Sequence, residues 1–256
     1  MILTKHLNSN SLITFGLLFI IVSIPVFSEA LWAHSELLFI FLITLYVDSL
    51  FYYIEKESVA SLIVLVIITS LAILNRYIGI VLFLTAVITI LLYSKENLKN
   101  KFRSIFVYSV FSGIPISISL IRNYILSKTF FGERGASRYS FWYNIKITVE
   151  KILSWDIPDH FISLKIFFII FILMTIVFLW LFLKKKIRYK KLLLTTDKRI
   201  LVILGLFIFV SLSYLILIST FKAHNSIYTR LLSPVFIPVT ILLLIILQAF
   251  IIGFVL

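Results

Sequence analysis

About eight apolar stretches, each close to the length that crosses a bilayer, alternate along this chain with short polar breaks. A spanning helix needs about 20 mostly apolar residues. In hydrocarbon, each backbone polar group must be paired within the protein, which leaves helices as the natural reading of such runs. Hydrophobic residues make up 61% of the chain, where soluble domains have about half, so a soluble globular fold is excluded. The expected fold is all-α, a polytopic transmembrane helical bundle of about eight spans. Little of the 256 residues is left for anything else, so 1–256 reads as a single transmembrane domain. The expected spans are Leu12–Phe27, Leu37–Ile54, Ala60–Leu74, Ile78–Tyr93, Ser104–Ile121, Ile166–Leu183, Ile200–Ser219 and Leu231–Leu256. Only Asn75-Arg76-Tyr77 separates the third from the fourth, which predicts a tight helical hairpin.

The charges orient the bundle. Eight basic residues fall in Lys184–Arg199 and four in Lys95–Arg103, both short connections between spans, where positive charge marks the cytoplasmic side. With those loops inside, both termini and Glu55-Lys56-Glu57 also fall inside. The outer side receives Ser28–Glu36, Asn75–Tyr77, Arg122–Lys165 and Phe221–Arg230. The net charge of +13 is then a topology signal with attraction to anionic headgroups. No nucleic-acid-binding motif accompanies it, and no nucleic-acid partner is expected. The first span follows a weakly basic stretch without a small-residue cleavage site, so it reads as an anchor.

Arg122–Lys165 is the one long connection. Within it, Phe141, Ile145, Val149 and Ile152 recur every three to four residues, the pattern of an amphipathic helix lying at the membrane surface.

Arginine is distributed unevenly. Arg76, Arg122, Arg134, Arg138 and Arg230 fall outside, and lysine dominates inside. A guanidinium is a rigid fork suited to bidentate contact with phosphate, whereas an ammonium is a point charge. Outer positive charge also opposes the topology signal. These arginines are therefore candidate anion ligands, with snorkelling to lipid headgroups as the plainer reading. Glu36 opens the second span, where a carboxylate is costly unless paired or wet. It reads as a base, an arginine partner, or a helix N-terminal carboxylate after the capping residue Ser35. Asp48, within that span, suits a polar helix contact as well as chemistry.

Gly132-Glu133-Arg134-Gly135 lacks the strand-turn-helix setting of a nucleotide fingerprint and reads as a flexible outer loop. There are no cysteines, and His6, His34, His160 and His224 are widely separated. This leaves no thiol chemistry and no metal-spacing motif; neither a metal nor a cofactor is expected.

Four segments resemble one family in order. His34-Ser35-Glu36-Leu37-Leu38-Phe39 resembles the Ser-Glu turn that opens a span in polyprenyl-phosphate-sugar-dependent membrane glycosyltransferases. That group includes the protein O-mannosyltransferases and lipid A aminoarabinose transferases. Asn75-Arg76-Tyr77-Ile78-Gly79 resembles their Arg-Tyr-x-Gly hairpin. Arg122-Asn123-Tyr124, followed by Phe131-Gly132 and Arg134, resembles their Arg-Asn…Gly segment. Arg230-Leu231-Leu232-Ser233-Pro234 resembles the Arg-x-x-x-Pro start of a late span.

The resemblance implies a GT-C fold in a bacterial plasma membrane, its active face outward. Such an enzyme moves a sugar, with inversion, from a polyprenyl-phosphate donor to a hydroxyl of a lipid, glycan or protein acceptor. Arg76, Tyr77, Arg122, Asn123, Arg134, Arg138 and Arg230 are then the expected substrate-binding residues. The family's catalytic aspartate lies in an outer loop after the first span, ahead of the Ser-Glu turn. No aspartate precedes Asp48 here. The expectation is a member lacking that loop and transferring little sugar alone, with Glu29 and Glu36 as the catalytic carboxylates available on the outer side. Two other classes compete: a transporter or flippase of a lipid-linked anion, which needs a polar route through the bundle, and a non-catalytic membrane subunit of envelope polysaccharide assembly.

Overall fold

The structure is a computed structural model that describes residues 10–23, 25–26, 30, 35–130, 135–153, 155, 198–222 and 227–255. Among these residues it is helical, with no strand. The helices are α1 (Asn10–Val22), α2 (Ser35–Lys56), α3 (Val59–Asn75), α4 (Ile80–Tyr93), α5 (Leu98–Ser127), α6 (Phe141–Leu153), α7 (Lys198–Phe221) and α8 (Thr229–Val255). A 3-10 turn, Tyr77–Gly79, precedes α4.

Seven of the expected spans overlap a described helix, and Ile166–Leu183 lies outside the described residues. Among the described residues, four helices are long and apolar enough to cross a membrane: α2, α5, and the segments Arg199–Phe221 of α7 and Arg230–Gln248 of α8. The apolar helices of α1, α3 and the Tyr77–Tyr93 segment are shorter. At 1.5 Å per residue, the 17 residues of α3 reach about 26 Å, just under a bilayer core of about 30 Å. The coarse expectation of a helical membrane protein is compatible with these helices.

The central helix is α2, which packs against α3, α4, α7 and α8. Its buried face runs through Phe39, Ile43, Tyr46, Leu50, Tyr53 and Ile54, a spacing of three to four that makes one side of a helix inaccessible. Two buried tyrosine hydroxyls on the core helices are partnered across elements, which offsets the cost of burying them. The Tyr46 hydroxyl donates to the Leu82 carbonyl of α4 at 2.6 Å, and the Tyr108 hydroxyl of α5 donates to Thr69 Oγ1 of α3 at 3.0 Å.

The hairpin expected at Asn75–Tyr77 is present. Arg76 takes an extended conformation and ends α3, the 3-10 turn reverses the chain, and the far ends of α3 and α4 meet where the Lys95 N–H donates to Glu57 Oε1 at 2.5 Å. A Cβ at Gly79 would fall 2.8 Å from the Ala72 carbonyl and the Ile73 Cα. Only glycine lets the two helices approach this closely.

One boundary and one packing face differ from the sequence reading. Helix α5 extends to Ser127, where Lys128 adopts the left-handed conformation and its N–H caps the Tyr124 carbonyl. Arg122 and Asn123 are thus helical rather than part of a loop. Helix α6 forms where the amphipathic pattern predicts it, but it packs on α7 and α8 through Asn144 and Thr148, both buried. Phe141, Trp142 and Val149 remain exposed.

Candidate functional site

The polar breaks expected to share one side of the membrane do meet at one end of the bundle. Their centre is Glu36 in the first turn of α2, with 0% of its surface exposed. Its Oε1 accepts the Arg230 Nε–H and forms an ion pair with Arg76 Nη1. A carboxylate out of water persists only when paired, and the N-terminus of α2 adds a favourable local field. One side chain thereby ties together the start of α2, the link after α3 and the start of α8. Its Oε2 accepts no hydrogen bond from the described residues. The Asn75 Nδ2 reinforces the same junction by donating to the Ser35 carbonyl at 3.0 Å.

Arg76 and Arg230 remain partly exposed, at 21% and 38% of their side chains, and both line a cavity of about 600 Å³. Lys222, just past the end of α7, is a third cation in its wall. Tyr77, Thr129 and Phe130 line it from the side of α5 and the hairpin. Tyr214, Leu215, Ile218 and Ser219 line it from α7, and Leu231 and Pro234 from α8.

The walls are held by bonds between distant residues. Asn123 Nδ2 donates to the Tyr77 hydroxyl at 2.6 Å, fixing that ring against α5. Phe130 stacks on Tyr124 with centroids 4.9 Å apart. The Ser137 hydroxyl donates to the Ser219 carbonyl at 2.6 Å, and Asn144 Nδ2 donates to Thr220 Oγ1 at 3.0 Å. These last two fasten α6 and the segment before it to the end of α7.

Among the residues expected from sequence, the structure assembles Glu36, Arg76, Tyr77 and Arg230 around one cavity, with Asn123 behind Tyr77. Arg122 and Arg138 are exposed and lie outside the cavity lining. Glu29 and Arg134 lie outside the described residues. Lys222, Thr129, Phe130, Tyr214 and Ser219 were not anticipated. Lys222 alone carried a signal, as a lysine in the expected outer break Phe221–Arg230.

Three cations, Arg76, Arg230 and Lys222, thus share the cavity wall, the first two paired with one buried carboxylate, and the rest of the wall is largely apolar. Glu36 has no exposed surface and two guanidinium partners. That geometry fits its reading as an arginine partner. Compared with models of known protein families, with characterised proteins and with solved structures, the chain matches none of them.

Proposed function

We propose that this chain is a polytopic membrane protein of the GT-C type that holds a polyprenyl-phosphate sugar in the cavity bounded by Arg76, Arg230 and Lys222, on the outer face of a bacterial plasma membrane. The observation that carries this reading is the arginine pair, preassembled on a buried carboxylate where three helices meet, opening into a cavity with apolar walls. The order of the Ser-Glu, Arg-Tyr-x-Gly, Arg-Asn and Arg-x-x-x-Pro segments supports the same class.

In the transfer itself, an acceptor oxygen bonds to the anomeric carbon, the bond from that carbon to the phosphate oxygen breaks, and the acceptor proton passes to a base. Negative charge accumulates on the departing lipid phosphate, where fixed cations stabilise it. In this reading Arg76 and Arg230 supply those cations. Glu36 orients them and is not the proposed base. The acceptor is a lipid, glycan or protein hydroxyl.

The test is binding of fluorescent undecaprenyl-phosphate mannose to the purified full chain in nanodiscs. Saturable binding is expected, displaced by undecaprenyl phosphate but not by equal inorganic phosphate. Arg76→Lys and Arg230→Lys should each weaken it about tenfold or more, since a charged hydrogen bond is worth about 1.5–3 kcal/mol and lysine cannot reproduce the fork. Arg122→Lys and Arg138→Lys should leave it unchanged. Equal affinity in all four variants would overturn the assignment of the cavity.

A further inference from the structure

We propose that Glu36 is a specificity-determining residue that sets which charge state of a phosphate the cavity prefers, allowing it to hold a singly charged phosphodiester without trapping the doubly charged monoester. This rests on the lipid-phosphate reading of the cavity.

Arg76, Arg230 and Lys222 line the cavity, and Glu36 pairs with the first two. Among the described groups, the ligand therefore meets a formal surplus of two positive charges rather than three. A lipid phosphate carrying a sugar is a diester with one negative charge. Once the sugar leaves, the phosphate is a monoester of charge about −1.5 to −2 near neutral pH. Electrostatic attraction scales with the product of the charges, so each extra positive charge in the wall favours the spent carrier over the loaded donor. A carboxylate behind the arginines counteracts that preference.

The arrangement suits this task better than orientation alone. A neutral amide or carbonyl oxygen would also accept two arginine N–H groups. Here the shared acceptor is ionisable, has no exposed surface and so is little screened by solvent ions. Both guanidinium groups meet the same oxygen, so its charge acts on both.

Glu36→Gln keeps the shape and the accepting oxygen but removes the charge. The test measures Kd for farnesyl phosphate and for its methyl diester, on the full chain in nanodiscs at pH 7.5. In E36Q the monoester-to-diester preference should rise about tenfold. At pH 5, below the second phosphate pKa of about 6, most of that rise should vanish. Because E36Q removes the counter-charge that Glu36 gives both guanidinium groups, the same change is also made on Arg76→Gln. Adding E36Q there should raise the preference by a similar factor, although both affinities are lower. A role confined to holding the helices together would weaken both ligands by one factor and leave the ratio unmoved. A constant ratio in both backgrounds overturns the proposal. If the unaltered chain binds neither probe, the reading of the cavity itself fails, a result distinct from a constant ratio.

Discussion

The two ends of the bundle are closed by different kinds of bond. At the end carrying Glu36, the bonds join residues 40, 46, 76, 82 and 194 positions apart. At the opposite end, among the described residues, the Lys95–Glu57 contact closes the hairpin, the Arg199 guanidinium lies 5.5 Å from the centroid of the Phe51 ring, and several side-chain hydrogen bonds are local. Asn97 caps α5 three residues on, Ser104 donates to Glu96 across eight, and Lys101 Nζ donates to the Leu91 carbonyl across ten. Local bonds end helices and turn the chain. Long-range bonds gather side chains from several helices around a cavity. The end with Glu36 gathers side chains from several helices around a cavity, and the end with Lys95 and Lys101 does not line it.

That contrast breaks most directly if both guanidinium groups are removed. Arg76→Ala with Arg230→Ala leaves a buried carboxylate without its cations, which should cost about 3–5 kcal/mol. Unfolding in mixed detergent micelles measures it, and a loss under about 1 kcal/mol would mean that the ion pairs do not hold this end together. A smaller effect is expected from Gly79→Ala, whose methyl would meet the backbone of α3. Overpacking of this kind costs about 1–3 kcal/mol, and an unchanged midpoint would show that the hairpin can open freely. The smallest effect belongs to the other end. Lys101→Ala should stay within about 0.5 kcal/mol, as exposed substitutions usually do. A loss as large as that of Gly79→Ala would erase the distinction between the ends.

The sequence made the helices and their polar ends legible because each apolar run stops at charged or amide residues. The hairpin could be read from the three residues between α3 and α4. The partner of Glu36 could not, since Arg230 is 194 positions away and only the packing of α8 on α2 brings them together. Arg122 and Asn123 show the limit of motif reading. Once α5 continues to Ser127, neighbours in sequence point about 100° apart, so Asn123 reaches Tyr77 and Arg122 stays exposed. Helix α6 was visible in its periodicity, but the face it turns to the protein was not. Asn144 and Thr148 are buried there beside Ile147 and Ile152, while Phe141, Val149 and the Lys146–Glu150 ion pair remain outside. Tyr214 and Ser219 were hidden because a polar residue inside an apolar run carries no mark of the direction it faces.

The wall contributed by α7 gives the cavity a depth. From Tyr214 to Lys222 is eight residues, about 12 Å along a helix axis, and Leu215, Ile218 and Ser219 lie between them in the same lining. The ammonium stands at one end of this distance and a buried leucine near the other. An occupant that matches it changes character along its own length, ionic beside Lys222 and Arg230 and oily two helical turns further in. On the lipid-phosphate reading proposed above, the head group belongs beside Lys222 and Arg230 and the chain two helical turns further in.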